Sequence, residues 1–384
     1  MKRILVISFS PLARDGRVLR QIKALSDRYQ VTACGFGPLA LPGVESVPVE
    51  RLGRLRRMVS LGLRAARLIS LADRLDPLSL RAYALLKDRP YDLVVANDVS
   101  ALRVGVLLSE RRRVPLLWDA HEWAPEEFSD RLRWRFLHRP LVVHRLARYL
   151  SQVGRAVTVS PGIARLYRER YGVDMEVVLN TPPYHDLVPV RRGAGEPIRL
   201  VHHGGAIPSR GLETMIEAVR SVDGDVLFDL YLVTNSREGE RYLARLKELA
   251  GGDPRIRFRA PVFPEAMVKT LSQYDVGVYS LSPSNPNHVH ALPNKLFEFI
   301  QARLAVTVSP NPEMARLVRD HGVGLVAEDF SAAALGEALR SLDHERINNL
   351  KAASHRAASE LNAERESAKF LRIVEEMLTR KEEA

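Results

Sequence analysis

Two segments in the second half of the chain carry residue types suited to holding a phosphorylated ligand. In His202-His-Gly-Gly-Ala-Ile-Pro-Ser-Arg210-Gly-Leu-Glu213 an apolar run passes through Gly204 and Gly205 into a helix expected over 213–219. Such a turn exposes helix N-terminal amides and lets backbone approach a phosphate closely, while the Arg210 guanidinium adds a fixed positive fork. In Leu292-Pro-Asn-Lys295-Leu-Phe-Glu298, Pro293 sets a helix start with Lys295 in its first turn and Glu298 one turn on. One helix end then offers a cation for a diphosphate and a carboxylate for a ribose. In the first half, Asp15-Gly16-Arg17 and Asp119-Ala-His121-Glu122 follow short apolar runs. Asp98 precedes a helix beginning near Val99 and reads as its cap. His202 and His203 are not a metal pair, because neighbours on a strand face opposite ways.

The elements that must position these residues alternate between strand and helix. Apolar, β-branched runs occur at 4–8, 31–34, 93–96, 115–118, 157–160 and 176–179, and again at 198–203, 227–233, 256–258, 276–280, 305–309 and 324–326. Strands alternating with helices predict parallel sheets covered on both faces, hence an α/β fold of two Rossmann-like units. Ligands of such sheets bind beyond the carboxyl ends of the strands, where the polar clusters above fall. Asn180-Thr-Pro-Pro-Tyr184 and then the Pro-, Gly- and Arg-rich stretch 188–197 read as the hinge, giving a first domain over 1–187 and a second over 188–363. Over 364–384, Phe370, Ile373, Val374, Met377 and Leu378 share one helical face that must pack on something.

Several nucleotide chemistries are excluded by spacing. The turn Phe9-Ser-Pro-Leu-Ala-Arg-Asp-Gly16 lacks the GxGxxG of a dinucleotide site, and the Gly204-Gly205 pair lacks it too. No P-loop, second metalloprotease histidine after His121-Glu122, or Gly-x-Ser-x-Gly elbow occurs.

Pro293-Asn-Lys-Leu-Phe-Glu-Phe299 followed by Leu304-Ala-Val-Thr-Val-Ser-Pro310, and preceded by Gly205-x4-Arg-Gly-Leu-Glu213, resembles the donor half of GT-B glycosyltransferases, most closely family 4. Asp15-Gly-Arg-Val-Leu-Arg20 is similar to that family's first turn and Asp119-Ala-His121 to its Asp-x-His segment. The resemblance spans nearly the whole chain. It implies two Rossmann-like domains facing each other across a cleft, with the closing helix crossing back to the first. It also implies a retaining, metal-independent enzyme with no cofactor. A sugar would move from a nucleotide-diphosphate sugar to a glycan or lipid-linked acceptor, in cell-surface polysaccharide or glycoconjugate synthesis.

On this resemblance Arg210 and Lys295 neutralise the diphosphate, Glu298 bonds the ribose, His121 points at the transferred sugar, and Gly16 beside Arg17 brings backbone to the reacting end. Gly204, Gly205, Leu292, Pro293 and Asn294 line the donor, and base contacts fall near Pro261 and Val262. No acceptor residue is assigned. His290 stands where the family places the first of two glutamates, a departure at the sugar contact. A sugar-nucleotide 2-epimerase on the same fold, or a non-catalytic nucleotide-sugar-binding module, is the alternative.

Charge separates the two halves. Residues 1–190 hold 31 Lys and Arg against 19 Asp and Glu, while the rest hold 26 against 27. The basic half should therefore meet something anionic. Within it, 51–72 contain six arginines and no acid. At helical spacing Leu52, Leu55, Met58, Val59, Leu63, Ala66 and Ile69 oppose Arg56, Arg57, Arg64 and Arg67, so this segment either lies on an anionic membrane or covers the sheet. Nucleic acid is not expected, since the basic runs lack interleaved aromatics. A single cysteine, Cys34, and no spanning run of apolar residues fit a cytoplasmic protein, peripheral on the inner membrane face.

Overall fold

The computed structural model describes residues 1–51, 53–193 and 195–383, with the side chains of all of these except 54–57 and 380–383. The chain divides into two compact units, Met1–Leu179 with the chain from Ser367 on, and Asn180–Glu366.

The first unit is built on seven parallel strands: β1 (Arg3–Pro11), β2 (Gln30–Phe36), β3 (Val44–Pro48), β4 (Leu93–Asn97), β5 (Leu116–Ala120), β6 (Arg155–Thr158) and β7 (Met175–Val177), in the order β3-β2-β1-β4-β5-β6-β7. The two faces of β1 feed separate cores because strand side chains alternate. Leu5 and Ile7 pack with Val94, Ala96, Leu116 and Trp118 on one side. Ile4 and Val6 pack with Val95, Leu117, Val18 and Ile22 on the other, where Phe370, Ile373, Val374, Met377 and Leu378 of the helix Ala363–Glu383 complete the layer. The apolar face of that helix thus finds its cover on the first sheet. β3 was not legible as a strand: it is an edge element with one buried residue, Val47, and ends on Pro48.

The second unit holds six parallel strands: β8 (Ile198–Gly205), β9 (Val226–Val233), β10 (Ile256–Arg259), β11 (Val276–Tyr279), β12 (Ala305–Val308) and β13 (Gly324–Val326), ordered β10-β9-β8-β11-β12-β13. Both sheets reverse strand order at one place, between β1 and β4 in the first unit and between β8 and β11 in the second. Crevices form at such switch points because the loops leave to opposite faces.

Two sequence expectations need correction. The units divide before Asn180, at the start of the expected hinge rather than at 187 within it, because the second unit captures the segment that follows. Arg303, fully buried, donates to the carbonyls of His185 and Leu187, and Gln301 accepts the His185 N–H at 3.0 Å. The basic segment is not one helix but two, Arg54–Ala65 and Ile69–Arg74, broken where Arg67 adopts a left-handed φ of 59°. Within it Ser60 is buried and bonds the half-buried Arg64, while Met58 and Val59 are 67% and 57% exposed. Leu52 and the side chains of Leu55, Arg56 and Arg57 lie outside the described residues.

Candidate functional site

In the second unit the polar residues gather beyond the carboxyl ends of β8 and β11. The helix Asn294–Gln301 begins one residue later than expected, with Pro293 as its N-cap and Lys295 as its second residue. The Lys295 side chain lies across Gly204, whose φ is +136°; a Cβ there would come within 2.2 Å of Lys295 Cε. The backbone therefore favours glycine at this position, and any side chain there would have to displace the end of Lys295. The ammonium sits 5.8 Å from the centre of the Tyr279 ring, at the end of β11. Gly211, at φ +65°, brings the chain after Arg210 against the Ser280 carbonyl, with a Cβ position only 2.5 Å from that oxygen. Two close approaches thus hold the Arg210 and Lys295 loops to the same strand ends.

The electrostatics show the two cations sharing one environment. Burial first, and then Arg210, lower the Lys295 ammonium to about 8, against a smaller opposing effect of Glu298. Arg210 also acts on Tyr279, whose phenol burial raises. His202 bonds the Val278 carbonyl through Nδ1 at 2.9 Å, stacks on Tyr279, and is held neutral by burial and then by Lys295. Neither Arg210 nor Lys295 makes an ion pair among the described residues. Sustaining an ammonium lowered by this much costs on the order of 3 kcal/mol, which an anion bound beside it would offset.

Glu298 faces His203, with Oε2 3.1 Å from Nε2, while the His203 ring meets Phe299 edge-on. His203 is thus the carboxylate's neighbour, a pairing that alternation along β8 could have indicated and that the sequence left undecided. His290 ends the short helix Pro286–Val289, with Nδ1 3.8 Å from the buried carboxylate of Glu313. Leu292 is buried and Asn294 exposed. Pro261 borders a cleft of ≈ 560 Å³ at the carboxyl ends of β9 and β10, alongside Thr234, Asn235, Lys247 and Phe258; Val262 is not among its lining residues.

In the first unit a second cluster occupies the switch point of β1 and β4. Asp15 caps the helix Gly16–Ser26 through the Val18 amide. Arg17 is turned inward, bonding both oxygens of Asp119 at 2.8 and 2.9 Å and the Val178 carbonyl at 2.9 Å. Burial works to raise the Asp119 carboxyl, but Arg17 and then His121 overcome it and hold it well below the usual range. The Arg17 side chain is therefore committed within the unit. Asp98 does not cap its helix. It adopts a left-handed φ of 60°, and its carboxylate accepts the His121 N–H at 3.2 Å and stands 3.2 Å from His121 Nδ1. Burial pulls the His121 imidazole down, but Asp98 and Asp119 outweigh it and raise it to about 9.

Among the described residues no cluster of three or more His, Cys, Asp or Glu side chains could hold a metal ion. No helix there is long and apolar enough to cross a membrane.

Comparison with known proteins agrees with this architecture. The family model described as Glycosyltransferase Family 4 matches residues 17–181, and that described as Glycosyl transferases group 1 matches 197–344. A search of curated proteins gave no match. Among solved structures, sucrose-phosphate synthase of Thermosynechococcus elongatus shares 16% identity at a TM-score of 0.75, covering 99% of this chain and 100% of that one. HepE of Anabaena gives 15% and 0.70 over 98% and 100%. An α,α-trehalose-phosphate synthase of Burkholderia vietnamiensis gives 13% and 0.69 over the same shares. At these identities the likeness is one of fold. With the family models together matching most of both units, Arg17, Asp119, His121, Arg210 and Lys295 included, the chain belongs to the glycosyltransferases, on the GT-B fold.

Proposed function

We propose that the protein is a retaining, metal-independent glycosyltransferase that takes a sugar from a nucleotide-diphosphate sugar held by the second unit and gives it to a glycan or lipid-linked acceptor held by the first. The observation that carries this is the placement of Arg210 and Lys295, delivered by separate loops to the end of β11, with no carboxylate paired to either among the described residues. Breaking a glycosyl phosphate bond builds negative charge on the diphosphate. Two fixed cations and the amides at Asn294 and Lys295 supply charge of the sign that lowers this barrier. The cleft beside Pro261 has the size and mixed lining to take a nucleobase. The HepE structure is a complex with UDP and glucose, and the Burkholderia enzyme is UDP-forming. Retention of configuration rests on the resemblance to family 4.

The reading extends to a cytoplasmic enzyme lying on an anionic membrane in cell-surface polysaccharide or glycoconjugate synthesis. In its support, Met58 is 67%, Leu132 66% and Phe136 56% exposed, and Arg67 bonds the Phe136 carbonyl, so these apolar side chains stand on neighbouring helices. Residues 131–168 hold nine arginines and no acid. Arg145, Arg155 and Arg168 are ion-paired, but Arg131, Arg133 and Arg135, beside Leu132 and Phe136, are exposed and make no ion pair among the described residues. Exposed apolar side chains among such arginines match the chemistry of an anionic bilayer.

The test is a thermal-shift panel of sugar nucleotides on wild type and Arg210→Ala, followed by product analysis with and without sugar acceptors. A bound donor at 100 times its dissociation constant should add about 2.7 kcal/mol. Stabilisation lost in the variant, with a new glycoside formed, agrees with the reading. Epimerised donor without acceptor, or equal shifts in both proteins, contradicts it.

A further inference from the structure

At the switch point of the first unit, the two side chains placed to cap the helix Asp98–Arg112 do not cap it. Asn97, its N-cap residue, makes no capping bond; its Nδ2 donates to the Ile7 carbonyl at 3.4 Å, which turns Oδ1 toward His121 Nε2 at 3.2 Å. Asp98 leaves the helical conformation for a left-handed one. Forgoing a cap and adopting that conformation each disfavour the fold. Strain of this kind persists where surroundings over-determine it, and here both side chains converge on one imidazole.

The geometry assigns Asp98 as a positioning residue of the transfer reaction: its carboxylate grips the backbone and Nδ1 of His121 while Asn97 accepts from Nε2, so His121 is held in one orientation as an imidazolium with both N–H groups committed. This rests on the glycosyltransferase reading for its catalytic consequence. With an oxygen acceptor at each ring nitrogen, the neutral ring would always leave one nitrogen lone pair against an oxygen lone pair. Asp119 Oδ2, 3.7 Å from Nε2, adds to the same preference. The other groups acting on His121 are Arg17, which opposes its charge, and Glu127, which burial and the carboxylates of Glu122 and Asp98 raise to about 8. His121 then serves as a fixed positive charge, and the acceptor proton must leave by another route.

Histidine-selective 13C and 15N NMR of the full chain, with His121 assigned by its loss in His121→Gln, tests this. In wild type both ring nitrogens should carry protons at pH 7.5 and the ring should titrate near 9. Asp98→Asn, whose new side chain tolerates a left-handed φ, should bring the midpoint down by at least one unit. The alkaline limb of the transfer rate should move with it, and Asp98→Glu should restore both in part. A wild-type ring carrying a single proton at pH 7.5 overturns the assignment whether or not the variant folds, as does an unchanged midpoint in folded Asp98→Asn. Absent turnover with the expected titration would instead sink the glycosyltransferase reading and leave the imidazolium standing.

Discussion

The two switch points use charge in opposite ways. In the first unit each central charge is matched internally: Arg17 by Asp119, and His121 by Asp98 with Asp119 beyond. In the second, Arg210 disfavours the neighbouring Lys295 charge and neither cation is ion-paired among the described residues. A matched cluster fixes side chains and leaves little net field for a ligand, whereas an unmatched one is organised around a charge it lacks. The unit with the large basic excess therefore holds the neutralised site, and the unit with none holds the cationic site. Net charge by halves located the excess but not the site, because the excess arginines lie on helices such as Leu132–Leu137 rather than at strand ends.

The sharpest way to break this comparison is to remove one arginine from each cluster. Arg17→Ala strands a fully buried carboxylate and should destabilise the first unit by about 3–5 kcal/mol in urea unfolding. Arg210→Ala removes a repulsion and should leave stability unchanged or slightly raised. Equal losses from both would erase the distinction.

The pH dependence should differ in sign. The His121 imidazole is raised from 6.5 to about 9, so its contribution is complete below 6.5 and is lost as pH rises through 9. The Lys295 ammonium is lowered from 10.5 to about 8, so its penalty holds below 8 and is relieved as pH climbs toward 10.5. Each is worth at most about 3 kcal/mol. His121→Gln should flatten the decline between 6.5 and 9, and Lys295→Met the rise above 8, in unfolding followed at stepped pH; parallel curves for both variants and wild type would contradict the assignments.

A smaller effect is expected at Gly204. Gly204→Ala must displace Lys295 and strain a φ of +136°, so nucleoside diphosphate affinity should fall roughly tenfold, about 1.4 kcal/mol, with the sheet intact by circular dichroism. Retained affinity would mean that Lys295 does not need its present path. Smaller still, replacing Met58, Leu132 and Phe136 by Ser should reduce sedimentation with anionic vesicles several-fold while sparing nucleotide binding; undiminished sedimentation removes the membrane surface from the account.

Most of the architecture was legible because twelve of thirteen strands announce themselves as apolar runs, and the edge strand β3, with one buried residue, does not. The donor-side cluster was legible because its residues lie within two short segments, each fixed by glycine or proline. The first-unit cluster was less so. Asp98 reads as a cap, and only the left-handed turn at the end of β4 sends its carboxylate to His121, 23 residues away. The Arg17–Asp119 pair spans 102 residues and leaves no local signature. Within 51–72 helical periodicity gives two faces without saying which one meets protein, so that choice is not legible in the sequence.

The central claim is that Arg210 and Lys295 act on one phosphorylated ligand. Calorimetric titration of wild type, Arg210→Ala and Lys295→Ala with UDP, GDP and ADP, in two buffers of different ionisation enthalpy, tests it most directly. The account predicts that at least one nucleotide binds wild type with net proton uptake above pH 8, and that each substitution weakens it by about 2–4 kcal/mol. Affinity for that nucleotide unaltered by both substitutions, or binding of none of the three, would contradict it.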